Sequence, residues 1–182
     1  MALLTLAEAK AQLDIETDSH DVELQAYIDA ITAPIEGLVG VVVPREITET
    51  VRGQGPYLAL TRVPVQALTS LTPIRDGGAA VDVATLHVDE ASGVIERTGG
   101  GYFSGGPWTA VYTAGRDSTP PTINLAARML IQHLWRTQYG SARGAPSSDD
   151  YLVTEPVPGF GYAIPNRVLE LLEPYKQPPG IA

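Results

Sequence analysis

One long apolar stretch, residues 119–140 (TPPTINLAARMLIQHLWRTQYG), constrains the fold more than any other part of this chain. Its apolar residues recur at three- and four-residue steps, the spacing of one helix face: Ile123, Ala127, Leu130, Ile131 and Leu134. The two opening prolines suit a first helical turn, and Gly140 predicts the end. Ala126, Met129 and Trp135 widen the apolar surface, so we expect other helices and a neighbouring subunit to cover it.

Two further helices are predicted before residue 41. Thr5 and Glu8 form a capping-box pattern that opens a short helix over Leu6–Leu13. A second helix is predicted to start near Asp18 or Ser19 and to end at Gly40, because its apolar residues alternate four- and three-residue steps: Leu24, Ile28, Ile31, Ile35 and Leu38. Pro34 lies inside this pattern and predicts a kink or a division of the helix.

Between Val41 and Gly115 the apolar period changes from near 3.6 to 2, which indicates β-strands. The runs are Val41–Val43, Ile47–Arg52, Tyr57–Thr61, Ala67–Arg75, Ala80–Val83, Leu86–Asp89, Gly93–Arg97 and Trp108–Tyr112. The turn residues 90–93 predict a hairpin between two of these runs, with Val88 before the turn and Val94 after it. The glycine-dense residues 98–107 are predicted to form a loop.

The sequence after residue 140 predicts a flexible linker over 141–163 and a short amphipathic helix from Pro165 to about Glu173. The predicted fold class is therefore α+β, a helical frame with a small antiparallel β module inserted between its second and third helices. Its predicted parts are the N-terminal helices (1–40), the β module (41–115), the long helix (116–140), the linker (141–163) and a C-terminal arm (164–182).

Composition narrows the classes of protein to consider. The chain has no cysteine, which excludes disulfides and thiolate chemistry. Residues 1–50 contain two basic and ten acidic side chains, so most of the net charge of −9 lies there. An acidic surface repels phosphate backbones, which argues against DNA binding through this region. No window is long and apolar enough for a membrane span, and the N-terminus lacks a basic leader, so we expect synthesis in the cytoplasm.

No motif in the sequence predicts catalysis, a metal site or a cofactor. The three histidines, His20, His87 and His133, lack the spacing of metal ligands. The glycines between residues 99 and 106 match neither a dinucleotide fingerprint nor a phosphate-binding loop. Ser104 has no nucleophile-elbow pattern around it. We therefore expect a protein that is not an enzyme.

Three stretches together resemble the head–tail connector proteins of tailed bacteriophages. The first is Leu4–Lys10 with Leu13 and the acidic turn that leads into 24–40. The second is Trp108–Gly115, a strand ending in Tyr-Thr-Ala-Gly, followed by a proline-opened helix with late aromatic residues. The third is residues 164–175. Together they cover about half of the chain in the family's order.

The resemblance implies a structural virion protein made in the cytoplasm of a bacterial host. Members of this family act as adaptors: they form a ring, usually of twelve copies, beneath the portal protein. The ring extends the DNA channel, through which DNA passes without specific binding, and it docks the stopper or tail. Gene-transfer agents use similar adaptors. No membrane and no cofactor is involved.

Three sets of candidate residues follow from this role. The first would anchor the arm to the portal: Leu169, Leu172 and Tyr175. The second would pack against neighbouring subunits in the ring: Ile123, Leu130, Leu134 and Trp135. The third would face the channel and keep DNA from sticking: Asp18, Asp21 and Glu23.

Two alternatives stay open. One is another neck protein, a stopper or tail terminator, although those are mostly β-structured and this chain has helices at both ends. The other is a β module on a helical base that binds a ligand such as a carbohydrate. Its sugar-stacking faces would be Tyr57, Tyr102, Phe103 and Trp108.

Overall fold

The computed structural model describes residues 3–53, 55–75, 78–139 and 164–177. These residues confirm the α+β class, with four α-helices and two three-stranded antiparallel sheets. The described residues divide into a helical unit (3–39, 119–139 and 164–177) and a β unit (40–53, 55–75 and 78–118). The predicted linker 141–163 and the end of the predicted arm, 178–182, lie outside the described residues.

The helical unit contains α1 (Leu6–Leu13), α2 (Asp21–Val39), α3 (Pro121–Tyr139) and α4 (Asn166–Leu172), and a 3₁₀ turn, Glu173–Tyr175, follows α4. The predicted capping box opens α1. The amide of Glu8 donates to the Thr5 hydroxyl over 3.2 Å, and the Thr5 amide donates to the Glu8 carboxylate over 2.9 Å. These bonds satisfy two of the amides that a helix start leaves without partners.

Helix α2 is continuous through Pro34, so of the two predicted outcomes, a kink or a division, the division does not occur. Proline removes one intrahelical bond, which disfavours a helix by about 3 kcal/mol. Burial of the apolar face on both sides of Pro34 offsets this cost, because each buried aliphatic side chain contributes about 1.5–3 kcal/mol. The buried residues of α2 are Leu24, Ile28, Ile31, Pro34, Ile35 and Val39.

Helix α3 is the centre of the helical unit, as its wide apolar face predicts. It contacts α1, α2 and α4. Five of its side chains have no exposed surface: Ile123, Ala126, Ala127, Leu130 and Ile131. Helix α4 buries Val168 and Leu172, which makes it part of the same packed unit.

The β unit contains two sheets. The first has the order β1-β6-β3, with β1 at Arg45–Val51, β3 at Val65–Pro73 and β6 at Trp108–Ala114. The second has the order β2-β5-β4, with β2 at Tyr57–Ala59, β4 at Leu86–Val88 and β5 at Val94–Arg97. The pairing of Val88 with Ile95 confirms the predicted hairpin.

Two predicted strands are wrong. Residues 41–43 are irregular, although Val41 and Val42 are buried. In the run Ala80–Val83, only Val81 pairs, in an isolated bridge with Leu71, and Val83 begins a 3₁₀ turn. Val41 and Val42 are buried, and Val81 and Val83 are half-buried, without forming strands. A short apolar run does not by itself distinguish a strand from a buried irregular segment.

Candidate interaction surfaces

The three histidines lie on different elements, His20 before α2, His87 in β4 and His133 in α3. Within the described ranges, no group of three or more His, Asp or Glu side chains could hold a metal ion. The same ranges contain no helix that has both the length and the apolarity to cross a membrane.

A polar network attaches the start of α1 to α3. The Glu8 carboxylate accepts hydrogen bonds from Arg128 over 2.8 Å and from Asn124 over 3.3 Å. The Asn124 amide also donates to the carbonyl of Leu3 over 3.3 Å. The Thr5 amide, and then the Thr5 hydroxyl and Arg128, lower the pKa of Glu8 to about 2 against the cost of its burial. One carboxylate thus caps α1 and pairs with α3.

The candidate channel-facing carboxylates lie in one region at the α1–α2 turn. Lys10 of α1 donates to Asp18 over 2.7 Å and to Asp21 over 2.8 Å. The hydrogen bond from Lys10 lowers the pKa of Asp18. Glu23 lies 3.6 Å from the His20 ring nitrogen and accepts from the Tyr27 hydroxyl. Lys10 offsets part of the negative charge, so this surface is less acidic than its sequence suggests.

The candidate subunit-packing residues of α3 divide into two pairs. Ile123 and Leu130 are fully buried within the protomer and offer no surface to a neighbour. Leu134 and Trp135 are half-buried. The Trp135 ring meets His20 and Tyr27 of the same chain edge-on, at centroid distances of 5.2 and 6.2 Å. Helix α3 therefore packs its apolar side chains mainly against its own unit.

The candidate portal-binding residues lie around α4 and its 3₁₀ turn. Leu172 is only 2% exposed, whereas Leu169 and Tyr175 are half-buried. Leu169 lines an open groove of about 420 Å³ together with Asn166, Glu170 and Glu173. A smaller adjoining depression is formed by Leu38, Leu169, Leu172, Glu173 and Lys176. The lining of the larger groove thus combines one leucine with one asparagine and two glutamates.

The end of this segment is attached to α2. The Gln177 amide donates to the Leu38 carbonyl over 3.0 Å. Its side-chain amide donates to the Val39 carbonyl over 3.4 Å. Carbonyls in the last turn of a helix have no intrahelical donors, so Gln177 supplies them from the other end of the unit.

The aromatic residues considered for carbohydrate binding do not form one surface. Phe103 and Trp108 are 1% and 3% exposed and pack edge-on with centroids 6.3 Å apart. Only Tyr57 and Tyr102 present their rings to solvent. Two of the four proposed stacking faces are thus core residues of the β unit.

Two exposed aliphatic residues of the helical unit were not among the predicted interaction residues. Val22 is 89% exposed at the start of α2, and Leu125 is 45% exposed near the start of α3. Helical periodicity could have predicted their exposure, because a residue two positions from a buried one lies about 200° away around the helix. Val22 is two residues from buried Leu24, and Leu125 is two residues from buried Ile123.

The family comparison and the structural comparison both give matches over nearly the whole chain. A family model described as "Head completion protein" matches residues 2–177. Comparison with curated proteins gives no match.

Solved structures with a similar fold come from gene transfer agent (GTA) particles. A chain from the neck of an empty GTA particle, computed with C6 symmetry, has a TM-score of 0.68 and 21% identity, covering 98% of this chain and 92% of the other. A chain from the neck of a native GTA particle, computed with C12 symmetry, has a TM-score of 0.64 and 23% identity, covering 97% and 90%. A chain from the virion of a native GTA particle has a TM-score of 0.58 and 22% identity, covering 98% and 92%. Their fold is that of this chain over nearly its whole length.

Proposed function

We propose that this chain, which belongs to the head completion protein family, is a structural adaptor in the neck of a phage-like particle. In this role it forms a ring beneath the portal, extends the DNA channel and docks the stopper or tail. The observation that carries the proposal is the family match over residues 2–177. It is supported by a shared fold with chains from GTA necks, one of them computed with C12 symmetry. Twelve copies is accordingly the number we propose.

The role is structural and needs no cofactor. The role requires a stable protomer and exposed surfaces that can bind a portal, a neighbouring copy and a stopper. The helical unit provides the stable frame through α3, which contacts the other three helices. The α4 groove and the acidic α1–α2 turn are candidates for the binding surfaces.

For the portal we propose the α4 groove, through Leu169 and Tyr175 with Leu172 beneath them. Half-buried apolar side chains beside a groove can bury their remaining surface against a partner helix or loop. Leu172 contributes indirectly, because its side chain already supports α4 from inside the unit.

A portal-binding assay tests this surface. We expect Leu169→Asp to weaken binding of the full-length chain to the portal protein from the same genome by about tenfold or more, since 1.4 kcal/mol corresponds to a factor of ten. Ile74→Asp is the control, because Ile74 is 49% exposed and belongs to the β unit. Equal binding by the wild type and Leu169→Asp refutes the α4 groove, and no binding by the wild type refutes the adaptor role itself.

For the channel we propose the surface that carries Asp18, Asp21 and Glu23. Carboxylates repel DNA phosphates, which would let the duplex slide past without specific contacts. A cryo-electron-microscopy map of the ring assembled on its portal tests the placement. Carboxylates found on the outer circumference of the ring would remove this part of the proposal and leave the rest intact.

A further inference from the structure

We infer that the ring contact is heterologous and joins the outer face of α2 in one copy to the outer face of α3 in the next. This inference rests on the proposed ring. A ring built from identical copies needs two different surfaces that fit each other, because each copy presents one surface to each of its two neighbours. Among the described residues, the helical unit has two helix faces that no other element covers.

The outer face of α2 lies opposite its buried side. Val22, Ala26, Asp29, Ala33 and Gly37 fall within about 80° of one another at 100° per residue. All five are exposed, and Val22 is 89% exposed. A Cβ added at Gly37 meets nothing within 4 Å, so this part of the face is open. Short side chains beside Val22 would let a second helix approach closely.

The outer face of α3 carries Leu125 and Arg136. These residues are eleven positions apart, which places them about 20° from each other around the helix. Both are exposed, and Met129 between them is half-buried. Val22 and Leu125 are the two large apolar side chains that stand out from the described part of the helical unit. Each face therefore has one apolar anchor.

The charges of the two helices are complementary. Helix α2 contains no Lys or Arg; its Asp21 pairs with Lys10 of the same chain, whereas Asp29 lies on the outer face. Helix α3 contains no Asp or Glu; its Arg128 pairs with Glu8 of the same chain, whereas Arg136 lies on the outer face. Opposite potentials favour contact between different faces and disfavour contact of α2 with a second α2. This asymmetry selects a head-to-tail contact over a two-fold dimer.

Matching the two apolar anchors also aligns the charges. At about 1.5 Å rise per residue, Arg136 lies about 16 Å beyond Leu125 along α3. Asp29 and Glu36 lie about 10 Å and about 21 Å beyond Val22 along α2. A parallel alignment with Val22 on Leu125 therefore places Arg136 between two carboxylates of the next copy.

Within one protomer, Val22 and Leu125 are far apart. Trp135, near the end of α3, packs on His20 and Tyr27 around the start of α2, which places Val22 beside the end of α3. Leu125 lies ten residues before Trp135, about 15 Å along α3. A disulfide needs Cα atoms within about 7 Å, so cysteines at positions 22 and 125 could only join different copies.

Disulfide cross-linking tests the contact. The chain contains no cysteine, so Val22→Cys combined with Leu125→Cys introduces the only two thiols. After assembly on the portal protein and mild oxidation, we expect the double variant to give a ladder of covalent species beyond the dimer, and each single variant to stay monomeric. Circular dichroism and the mass of the unoxidised complex check that the variants fold and assemble.

The outcomes separate this contact from the ring proposal. A wild-type chain that forms no multimer on the portal refutes the proposed adaptor role. A wild-type ring whose double variant gives no ladder overturns the α2–α3 contact alone. Covalent dimers of Val22→Cys by itself would also overturn it, because they require α2 to meet α2.

Charge reversal provides a second readout. We expect Asp29→Arg and Arg136→Glu each to raise the protein concentration needed for half-assembly by about two- to fivefold, the range of one exposed ion pair. Their combination should recover most of the loss. A double variant that assembles worse than both single variants contradicts the contact.

Discussion

Replacing Gly115 by alanine should destabilise the β unit strongly. Gly115 ends strand β6 with φ +137°, a conformation that side-chain-bearing residues rarely adopt. A Cβ at this position would lie 2.5 Å from Cα and 2.7 Å from N of Pro44. These are backbone atoms, which cannot move aside by changing rotamer. The neighbouring backbone must shift instead.

The surrounding hydrogen bonds set the magnitude of this effect. Gly115 donates to the Pro64 carbonyl over 2.9 Å, and Arg116 donates to the Val42 carbonyl over 3.1 Å. Backbone strain of this kind costs about 1–3 kcal/mol. Loss of one of the two hydrogen bonds adds about 1 kcal/mol. We therefore expect Gly115→Ala to lower the free energy of unfolding of the β unit by about 2–4 kcal/mol.

Gly37→Ala is the matched control. It is the same substitution in the interior of α2, where the added methyl group meets no atom within 4 Å. Alanine favours a helix over glycine by about 0.5–1 kcal/mol, so this variant should be slightly more stable than the wild type. The two substitutions thus have opposite expected signs.

Native-state hydrogen exchange measures the two units separately, which a single unfolding curve does not guarantee for a two-unit chain. Gly115→Ala should speed the exchange of the slowest β6 amides by about 30-fold or more, at 1.4 kcal/mol for each factor of ten. An effect below about fivefold, or an equal loss of protection in α2 of Gly37→Ala, would refute the reasoning.

Three further outcomes follow from the described contacts. Tyr112→Phe should lower the free energy of unfolding by about 1–3 kcal/mol, because the buried hydroxyl donates to Glu49 over 3.1 Å and accepts from a backbone amide; exposed Tyr57→Phe, as control, should change it by less than about 0.5 kcal/mol in urea unfolding. The pKa of Glu8 is lowered to about 2, so its contribution is present above the unfolded pKa of 4.5 and is lost as the pH falls towards 2. Glu8→Gln should therefore cost roughly 1–2 kcal/mol at neutral pH, allowing for partial exposure, and urea midpoints should converge with the wild type near pH 2. Leu130→Ala should cost about 2–5 kcal/mol in thermal or urea unfolding, because this fully buried side chain leaves a cavity.

Local patterns predicted the helices well. The Thr5–Glu8 box and the apolar spacing of α1 predicted a helix at about Leu6–Leu13, and the structure confirms these bounds. The wide apolar face of residues 123–134 correctly predicted a helix at the centre of its unit. The start of α2 was placed two to three residues early, because Asp18 has a cap-like side chain that is instead engaged by Lys10.

The strand order of the β unit and the candidate surfaces were predicted less well, because both depend on contacts between residues that are distant in sequence. The sequence indicates β-structure over 41–115 but not that it forms two sheets, since strand order depends on contacts between distant residues. The run Val41–Val43 shows the limit, because it is apolar from burial and not from strand pairing. The prediction of the candidate surfaces was limited in the same way. Periodicity selects apolar helix positions such as Ile123 and Leu130 without distinguishing the core of a protomer from its contact with a neighbour.

Gln177, the last described residue, caps the final turn of α2 with two hydrogen bonds. A partner that draws the α4 segment away would remove the hydrogen bonds that Gln177 donates to the Leu38 and Val39 carbonyls. Release of this segment and fraying of the end of α2 are therefore linked events. A pulling force on the segment that contains Gln177 would therefore act on the last turn of α2, 138 residues away in sequence.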